Sequence, residues 1–219
     1  MHYYMLIASL PHLPPHFDVE RPPITWPRLE QRLKLLREQD LVVFERLANF
    51  LAWDRQPLDR TDEEVVAEYD KLMSVLRNRL VIDIVNHRMD VRTIVSALRR
   101  RRDGKEPPIG VGRLVEPIRR NWQDPFFQLQ RRHLWIEEFA TRMLAGEAAE
   151  AERLLFEVTW KTWSRMAAEE FTFSFEAVLL YIARWAIVDR WTSRDVEKGR
   201  ARFEELIEET LGDHANFQS

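Results

Sequence analysis

The sequence contains no cysteine and only six glycines among its 219 residues. Without cysteine the chain can form no disulfide, no thiolate nucleophile and no thiolate metal site, and this composition fits a reducing compartment. The shortage of glycine argues against a turn-rich β fold. No apolar run approaches the ~20 residues that span a bilayer. We therefore expect a soluble, cytoplasmic protein.

Charged side chains make up 32% of the chain and hydrophobic ones 45%, a balance that favours amphipathic helices. The predicted fold is all-α, an irregular multi-helix bundle with a short N-terminal apolar segment at residues 3–10. That segment has no positively charged residues before it and prolines directly after it, so we predict no signal peptide. Residues 174–191 are apolar on nearly every side, which predicts a buried helix.

Capping patterns predict where several helices begin and end. Thr61 and Glu64 fit a capping box, and Asp40 and Asp90 are interpreted as N-caps of two further helices. The helix predicted after Asp90 ends in four arginines, residues 99–102, followed by Asp103 and Gly104. Basic residues in a last turn and glycine just beyond it are typical of a helix C-terminus.

Proline and glycine concentrate in residues 103–125, the least regular part of the sequence. We predict either a single helical domain over residues 1–219 or two closely packed halves, 1–102 and 126–219, hinged at 103–125. Trp160 and Trp163 are three residues apart and are interpreted as core, with a stacking platform for a base or ligand as the alternative.

A search for catalytic chemistry finds little. Gly110 to Arg113 lacks the third glycine and the lysine of phosphate-binding loops. Asp83 with His87, or His133 with Glu137, would share a helix face, but one such pair is an ordinary coincidence in a highly charged chain. We predict no catalytic residues, no metal site and no cofactor, and hence that the protein is not an enzyme.

Positive charge is concentrated in the middle of the chain. Residues 87–132 hold 12 basic and 5 acidic side chains, although the net charge of the whole chain is −3. The alternatives are a solvated helix end, contact with phosphates and contact with an acidic protein surface. The residues predicted to form a docking surface are Arg88, Arg92, Arg99, Arg100, Arg101, Arg102, Arg119 and Arg120.

Two segments carry a resemblance: YYMLIASLP from Tyr3 to Pro11, and NHRMDVRTIVSALR from Asn86 to Arg99. Both resemble an uncharacterised bacterial family that is encoded among the subunits of V/A-type rotary ATPases. The second is also similar, more loosely, to the central-stalk component of C type in these ATPases, or d type in the eukaryotic V-ATPases. That component caps the membrane rotor ring and receives the foot of the central shaft, without catalytic residues of its own.

The resemblance implies a non-catalytic subunit or assembly factor of a V/A-type ATPase, with the rotor ring or central shaft as partner. Such a protein would have no small-molecule substrate and would reach the inner face of the membrane only through other subunits. One alternative is a helical module that binds nucleic acid, which the acidic balance of the chain disfavours. The other is an enzyme with an unrecognised metal or carboxylate site.

Overall fold

The computed structural model of the protein describes residues 3–51 and 62–194, and the regular elements within these ranges are all helices. The predicted all-α fold is thus confirmed. In chain order the helices are α1 (Tyr4–Ser9), α2 (Trp26–Leu33), α3 (Glu38–Leu51), α4 (Asp62–Val75), α5 (Arg79–Arg102), α6 (Val115–Arg120), α7 (Ile136–Leu144) and α8 (Ala148–Glu169). A ninth helix, α9, begins at residue 175 and is described as far as residue 194.

The chain divides into two compact units. Unit 1 comprises Met1–Arg32 and Trp160–Ser219, and unit 2 comprises Leu33–Thr159. The segment 103–125, predicted as a hinge, lies inside unit 2. There Leu114 and Ile118 belong to one core cluster with residues of α5 and α7. The units thus divide at positions other than 103–125, and whether the chain bends at that segment stays a prediction.

Unit 1 holds the proline-rich segment 11–27 by hydrogen bonds from aromatic side chains. Irregular backbone has no ladder partners for its carbonyls, so other donors must satisfy them. The Tyr181 hydroxyl donates to the Pro11 carbonyl at 2.9 Å, and the Trp185 indole N–H donates to the Ile24 carbonyl at 2.7 Å. The Trp160 indole N–H donates to the Pro15 carbonyl at 3.3 Å. Large aromatic side chains therefore supply both apolar area and the missing donors.

Trp160 and Trp163 form part of the core of unit 1 rather than an open platform. Trp160 and Trp163 of α8 are both buried, as that interpretation predicted. The ring of Phe17 lies 6.2 Å from that of Trp160 and 5.2 Å from that of Trp191. Helix α9 buries most of its apolar residues, which confirms the prediction of a buried helix from the all-round apolar pattern.

Unit 2 is organised around α5, which is 24 residues long and contacts α3, α6 and α7. Its apolar residues Ile94, Ala97 and Leu98 are buried in a cluster with Ile118 of α6 and Phe139 of α7. Ile94, Ile118 and Phe139 are at most 2% exposed. This packing fixes which face of α5 is left for solvent and partners.

The boundaries of α5 differ from the prediction at one end. The N-cap is Asn78, whose side-chain oxygen accepts a hydrogen bond from the Val81 N–H at 3.2 Å. Asp90, predicted as the N-cap, instead lies in the middle of α5 and is 3% exposed. The prediction was wrong because a buried carboxylate and an N-cap carboxylate look alike in a local sequence window.

The predicted end of α5 is confirmed at Arg102. Gly104 adopts a φ of 65°, the Lys105 N–H donates to the Arg100 carbonyl, and the Gly104 N–H donates to the Arg101 carbonyl. This pair of bonds is a Schellman motif, which needs a left-handed residue that glycine provides without strain. Helix α5 therefore stops abruptly where the irregular segment begins.

Two other helix starts can be compared with their predicted caps. Helix α3 begins at Glu38, so Asp40 lies in its first turn rather than at its N-cap. Helix α4 begins at Asp62, and Thr61 of the predicted capping box falls outside the described residues. In the described part of the chain, no helix is both long enough and apolar enough to span a membrane.

Candidate functional site

One face of α5 carries a row of basic side chains at helical spacing. Arg92 and Arg99 are both exposed, and Arg88, one turn before Arg92, is half-buried. Together with Val95, Ser96, Arg100, Asp103 and Lys105, Arg92 and Arg99 line a groove of about 330 Å³, here called the basic groove. Residues three and four apart share a helix face, which is why Arg92, Ser96, Arg99 and Asp103 come together.

Two charged side chains of the basic groove, those of Arg100 and Asp103, make hydrogen bonds to neighbouring residues. The Arg100 Nε donates to the Glu106 carbonyl at 2.7 Å, which leaves its terminal nitrogens to other acceptors. The carboxylate of Asp103 accepts a hydrogen bond from Arg102 Nε at 2.8 Å, and this bond lowers the pKa of Asp103. Arg102 thus compensates Asp103, and the other charged side chains that line the groove, those of Arg92, Arg99, Arg100 and Lys105, are all basic.

The side chain of Arg101 does not line the basic groove and instead makes hydrogen bonds within unit 2. Its guanidinium donates to the carbonyls of Trp122, Gln123 and Asp124, the last two at 3.2 Å and 2.8 Å. Three successive carbonyls of the turn after α6 are thereby satisfied by one side chain. These three hydrogen bonds are here called the Arg101 clamp. Because the guanidinium is used in the clamp, Arg101 is poorly suited to bind a partner.

The turn clamped by Arg101 contains an unusual backbone conformation. Phe127 and Gln128 both have positive φ values, 56° and 58°, which cost on the order of 1 kcal/mol each for residues other than glycine. The Asp124 carboxylate accepts hydrogen bonds from the N–H groups of Gln128 and Phe126, which lower the pKa of Asp124. Phe127 is fully buried and stacks on Trp122, with ring centroids 5.4 Å apart. Burial and hydrogen bonds together offset the strain.

Arg119 and Arg120 lie at the end of α6, away from the basic groove in sequence. Both are exposed, and their guanidinium nitrogens lie 4.0 Å and 3.9 Å from the carboxylate oxygens of Glu116. Exposed pairs of this length contribute little to stability. Their position satisfies the preference for cations in a last helical turn.

A second polar site is buried on another face of α5. Asp90 Oδ2 accepts hydrogen bonds from Arg113 Nε at 2.8 Å and from Arg113 Nη2 at 2.6 Å. The side chain of Asp90 is 4% exposed and that of Arg113 is 56% exposed. These bonds raise the pKa of Arg113. The other oxygen, Asp90 Oδ1, is buried and has no hydrogen-bond partner among the described residues.

Burial shifts the pKa values of two ionisable side chains near this pair, His133 and Tyr69. Desolvation lowers the pKa of His133, against the opposing effect of the Asp90 charge. Burial also raises the pKa of Tyr69, and the charges of Asp70 and Asp90 raise it further. The Tyr69 hydroxyl donates to the Asn86 side-chain oxygen at 3.4 Å. At neutral pH the side chains of Tyr69 and His133 are therefore both neutral beside the Asp90–Arg113 ion pair.

The chemistry available at the two sites differs. Guanidinium and ammonium groups of the basic groove can bind carboxylates or phosphates as charge-assisted partners. Asp90 is committed to Arg113 and offers at most one oxygen. Across residues 3–51 and 62–194, no three His, Asp or Glu side chains gather in a group that could hold a metal ion.

Of the eight predicted docking residues, the structure brings three into the basic groove: Arg92, Arg99 and Arg100. Arg88 lies on the same face, whereas Arg101 turns to the clamp and Arg102 to Asp103. Lys105 and Ser96 were missed, although the spacing of three and four from Arg92 indicates Ser96. Whether any of these residues binds a partner stays a prediction.

The Asp90–Arg113 pair was also missed by sequence reasoning. The two residues are 23 positions apart, and Arg113 belongs to the irregular segment beyond the end of α5. No local pattern links them. Asn86 and Asp90 do fall in the segment Asn86–Arg99 that carries the resemblance, so the polar site and the basic groove share one stretch of α5.

Comparison with known protein families gives a match over most of the chain. Residues 43–213 match the model of a family described as "Protein of unknown function (DUF2764)", a range that includes all of α5 and the basic groove. No curated protein and no solved structure matches the chain. Since the matched range covers well over half of the sequence, the chain belongs to the family of proteins of unknown function DUF2764.

Proposed function

We propose that this protein is a non-catalytic subunit or assembly factor of a V/A-type rotary ATPase that binds other subunits through the basic groove of α5. The single observation that carries the proposal is the groove itself. Arg92, Arg99 and Arg100 stand on one face of a helix whose opposite side is fixed in the core of unit 2. A charged face on a rigid helix suits a docking role.

The choice of partner rests on the resemblance of Tyr3–Pro11 and Asn86–Arg99 to a family encoded with V/A-type ATPase subunits. The Asn86–Arg99 segment contains both Asp90, which anchors α5 to Arg113, and basic residues of the groove. A protein that transmits force between a rotor ring and a central shaft needs a helix that is held in position, as α5 is by the Asp90–Arg113 pair. Association with the inner face of the membrane would then run through those partner subunits.

A pull-down tests this proposal. Tagged full-length protein is recovered from gently solubilised native membranes, and the copurifying proteins are identified by mass spectrometry. The expected result is recovery of rotary-ATPase subunits in a fixed ratio. Recovery of nucleic acid, or of no ATPase subunit, would overturn the assignment. Salt-dependent recovery of nucleic acid would favour the nucleic-acid-binding module instead.

A pair of variants connects the result to the basic groove. Arg92→Glu with Arg99→Glu reverses two charges of the groove and should abolish copurification of the ATPase subunits. Arg165→Glu with Arg190→Glu makes the same change of net charge at two exposed arginines of α8 and α9 and should leave it intact. If both double variants lose the copurifying ATPase subunits, the effect is one of net charge and is not specific to the basic groove.

A further inference from the structure

Unit 1 places several exposed apolar side chains next to one another. The Tyr3 N–H donates to the Phe173 carbonyl at 3.3 Å, which joins α1 to the turn after α8. The ring of Tyr4 lies against that of Phe173, with ring centroids 5.1 Å apart. Tyr4, Met5 and Phe171 are 57%, 75% and 63% exposed. These three residues and Phe173 are here called the apolar patch.

The exposed side chains of the apolar patch do not hold α1 in place. Helix α1 is anchored by Leu6, which is 1% exposed, and by Tyr3, whose ring lies 6.5 Å from that of the buried Phe175. Single exposed apolar residues are normal on a protein surface, whereas neighbouring ones mark an interaction site. The apolar patch is therefore surface that a partner can cover without any change in the core.

Uncompensated carboxylates border the apolar patch. Glu169 and Glu170 directly precede Phe171 at the C-terminal end of α8, whose last turn contains no basic residue. A helix C-terminus favours cations, so negative charge at this position is unfavourable. Burial raises the pKa of Glu170, and the charges of Glu176 and Glu169 raise it further. Within the described part of the chain, neither Glu169 nor Glu170 has an ion-pair partner. Both carboxylates are thus available to a cation from outside.

This combination of groups selects the chemistry of the partner. Negative charge repels nucleic acid and anionic lipid surfaces. Aromatic faces attract cations, and a guanidinium can stack on a ring while it forms two parallel hydrogen bonds to a carboxylate. An ammonium group is more strongly hydrated and lacks the planar fork that does both. The exposed apolar area adds a demand for apolar side chains beside the cation.

We propose that the apolar patch, with the carboxylates of Glu169 and Glu170, is the docking surface for a segment of a partner protein in which arginine lies beside apolar side chains. The guanidinium stacks on Phe171 and pairs with the carboxylates, and the apolar neighbours cover Tyr4 and Met5. This surface belongs to unit 1, whereas the basic groove belongs to unit 2. The inference therefore goes beyond the proposed function and does not depend on it.

A peptide-binding experiment tests the inference with the full-length protein. The probe is a short fluorescent peptide in which arginine alternates with leucine. One control peptide has lysine in place of arginine, and the other has serine in place of leucine. Fluorescence anisotropy should show about threefold tighter binding of the arginine–leucine peptide than of the lysine peptide. The serine peptide should bind about tenfold more weakly, because it covers no apolar area.

Variants of unit 1 connect the binding to the surface. Glu169→Gln with Glu170→Gln should weaken binding of the arginine–leucine peptide by about fivefold, since two exposed ion pairs are lost. Met5→Ser with Phe171→Ser should weaken it by a similar factor, about fivefold. Phe171→Leu keeps the apolar area but removes the ring. It should therefore abolish most of the preference for arginine over lysine.

Two matched double variants serve as controls. Glu20→Gln with Glu30→Gln makes the same change of net charge at exposed positions elsewhere in unit 1. Leu134→Ser with Leu144→Ser removes two exposed apolar side chains of unit 2. Each should change the affinity by less than about twofold. Circular dichroism establishes that every variant is folded, and Phe171→Leu remains informative if the double serine variant is not.

Four outcomes would overturn the inference. The first two are equal binding of the arginine–leucine and serine peptides, and wild-type affinity in the variants of the apolar patch and its carboxylates. The third is binding to anionic lipid vesicles that Met5→Ser with Phe171→Ser abolishes, which would assign the surface to a membrane. The fourth is self-association in sedimentation velocity that the same variant abolishes, which would make the occupant a second copy of this chain.

Discussion

At the scale of single residues, the ion pair of Asp90 and Arg113 ties the irregular segment after α5 to the middle of that helix. Both hydrogen bonds fall on one oxygen, Asp90 Oδ2, while the carboxylate is almost fully buried. A buried carboxylate is costly once its partner is removed, although the pair itself adds little beyond an apolar replacement. The pair therefore determines where the segment attaches more than how stable the fold is.

The first prediction concerns this pair. Arg113→Met should lower the free energy of unfolding by about 2 kcal/mol, less than for a fully buried pair because Arg113 is half exposed. Asp90→Leu combined with Arg113→Met should cost less than Arg113→Met alone, because no unpaired carboxylate remains. Urea denaturation of the two single variants and the double variant measures the coupling. Additive losses would contradict the assignment of an isolated buried pair.

The second prediction concerns His133. Burial lowers its pKa below the ordinary 6.5, so the unfolded chain takes up a proton at a higher pH than the folded one. The stability that neutral His133 contributes is present above the unfolded pKa and is lost as pH falls through the folded pKa. His133→Gln should therefore flatten the fall of the melting temperature as the pH drops below about 6.5. The exposed His16→Gln is the control, and an unchanged pH profile in His133→Gln would contradict the prediction.

At the scale of the element, α5 shows what sequence patterns can and cannot predict. Its C-terminus was predictable because basic residues and a following glycine act within one turn. Its N-terminus was not, since the position of Asp90 suggested a cap while the real cap, Asn78, lies about three turns earlier. Asp90 is buried against Arg113 instead of capping a helix, and Arg113 lies beyond the end of α5, outside the local sequence that suggested a cap.

The run Arg99–Arg102 shows a related limit. The side chains of successive residues on a helix point in directions about 100° apart, so four consecutive arginines cannot all contact the same group. Arg99 and Arg100 line the basic groove, Arg101 clamps the turn after α6, and Arg102 pairs with Asp103. Composition predicted a basic surface, but only the positions of residues 103–124 decide which arginines belong to it.

The third prediction separates two neighbours in that run. Arg101→Met should lower the free energy of unfolding by about 2 kcal/mol, because three carbonyls of the turn lose a charged donor. Arg102→Met should have no measurable effect, since its partner Asp103 is exposed to water. Thermal and urea denaturation of both variants provide the comparison. Equal effects at the two positions would refute the clamp.

The fourth prediction concerns the cap of α5. Asn78→Ala should cost about 1 kcal/mol of stability, whereas Asn78→Asp, which retains a side-chain acceptor for the Val81 N–H, should cost little. Urea denaturation of both variants measures the difference. If alanine and aspartate behave alike, the side chain of Asn78 does not cap the helix.

At the scale of the whole molecule, unit 2 is continuous in sequence and unit 1 is not. Unit 2 contains a complete core cluster, from Val91 of α5 to Ala151 of α8. Sequence periodicity predicted the helices that build it but not the division into units, because that division depends on contacts between distant segments. Proline and glycine in residues 103–125 marked an irregular segment rather than a unit boundary.

The fifth prediction follows from this division. The fragment 33–159 should be helical and should unfold cooperatively in urea, as its core cluster lies within it. The shorter fragment 33–102 retains α3 and α5 but loses Ile118 and Phe139 from the core, and should unfold without a cooperative transition. A fragment 33–159 with no cooperative transition would show that unit 2 depends on unit 1 for its stability.

The discontinuity of unit 1 has a consequence for the order of events during synthesis. The carbonyls of Pro11, Pro15 and Ile24 accept hydrogen bonds from side chains at positions 181, 160 and 185 respectively. At ordinary translation rates the ribosome needs on the order of 10 s to add the intervening residues. Over that interval the proline-rich segment 11–27 lacks the aromatic side chains that donate to its carbonyls in the folded unit. Unit 2, which is synthesised next, can meanwhile fold, so the N-terminal stretch of unit 1, up to Arg32, is the part that a chaperone acting on nascent chains would have to cover.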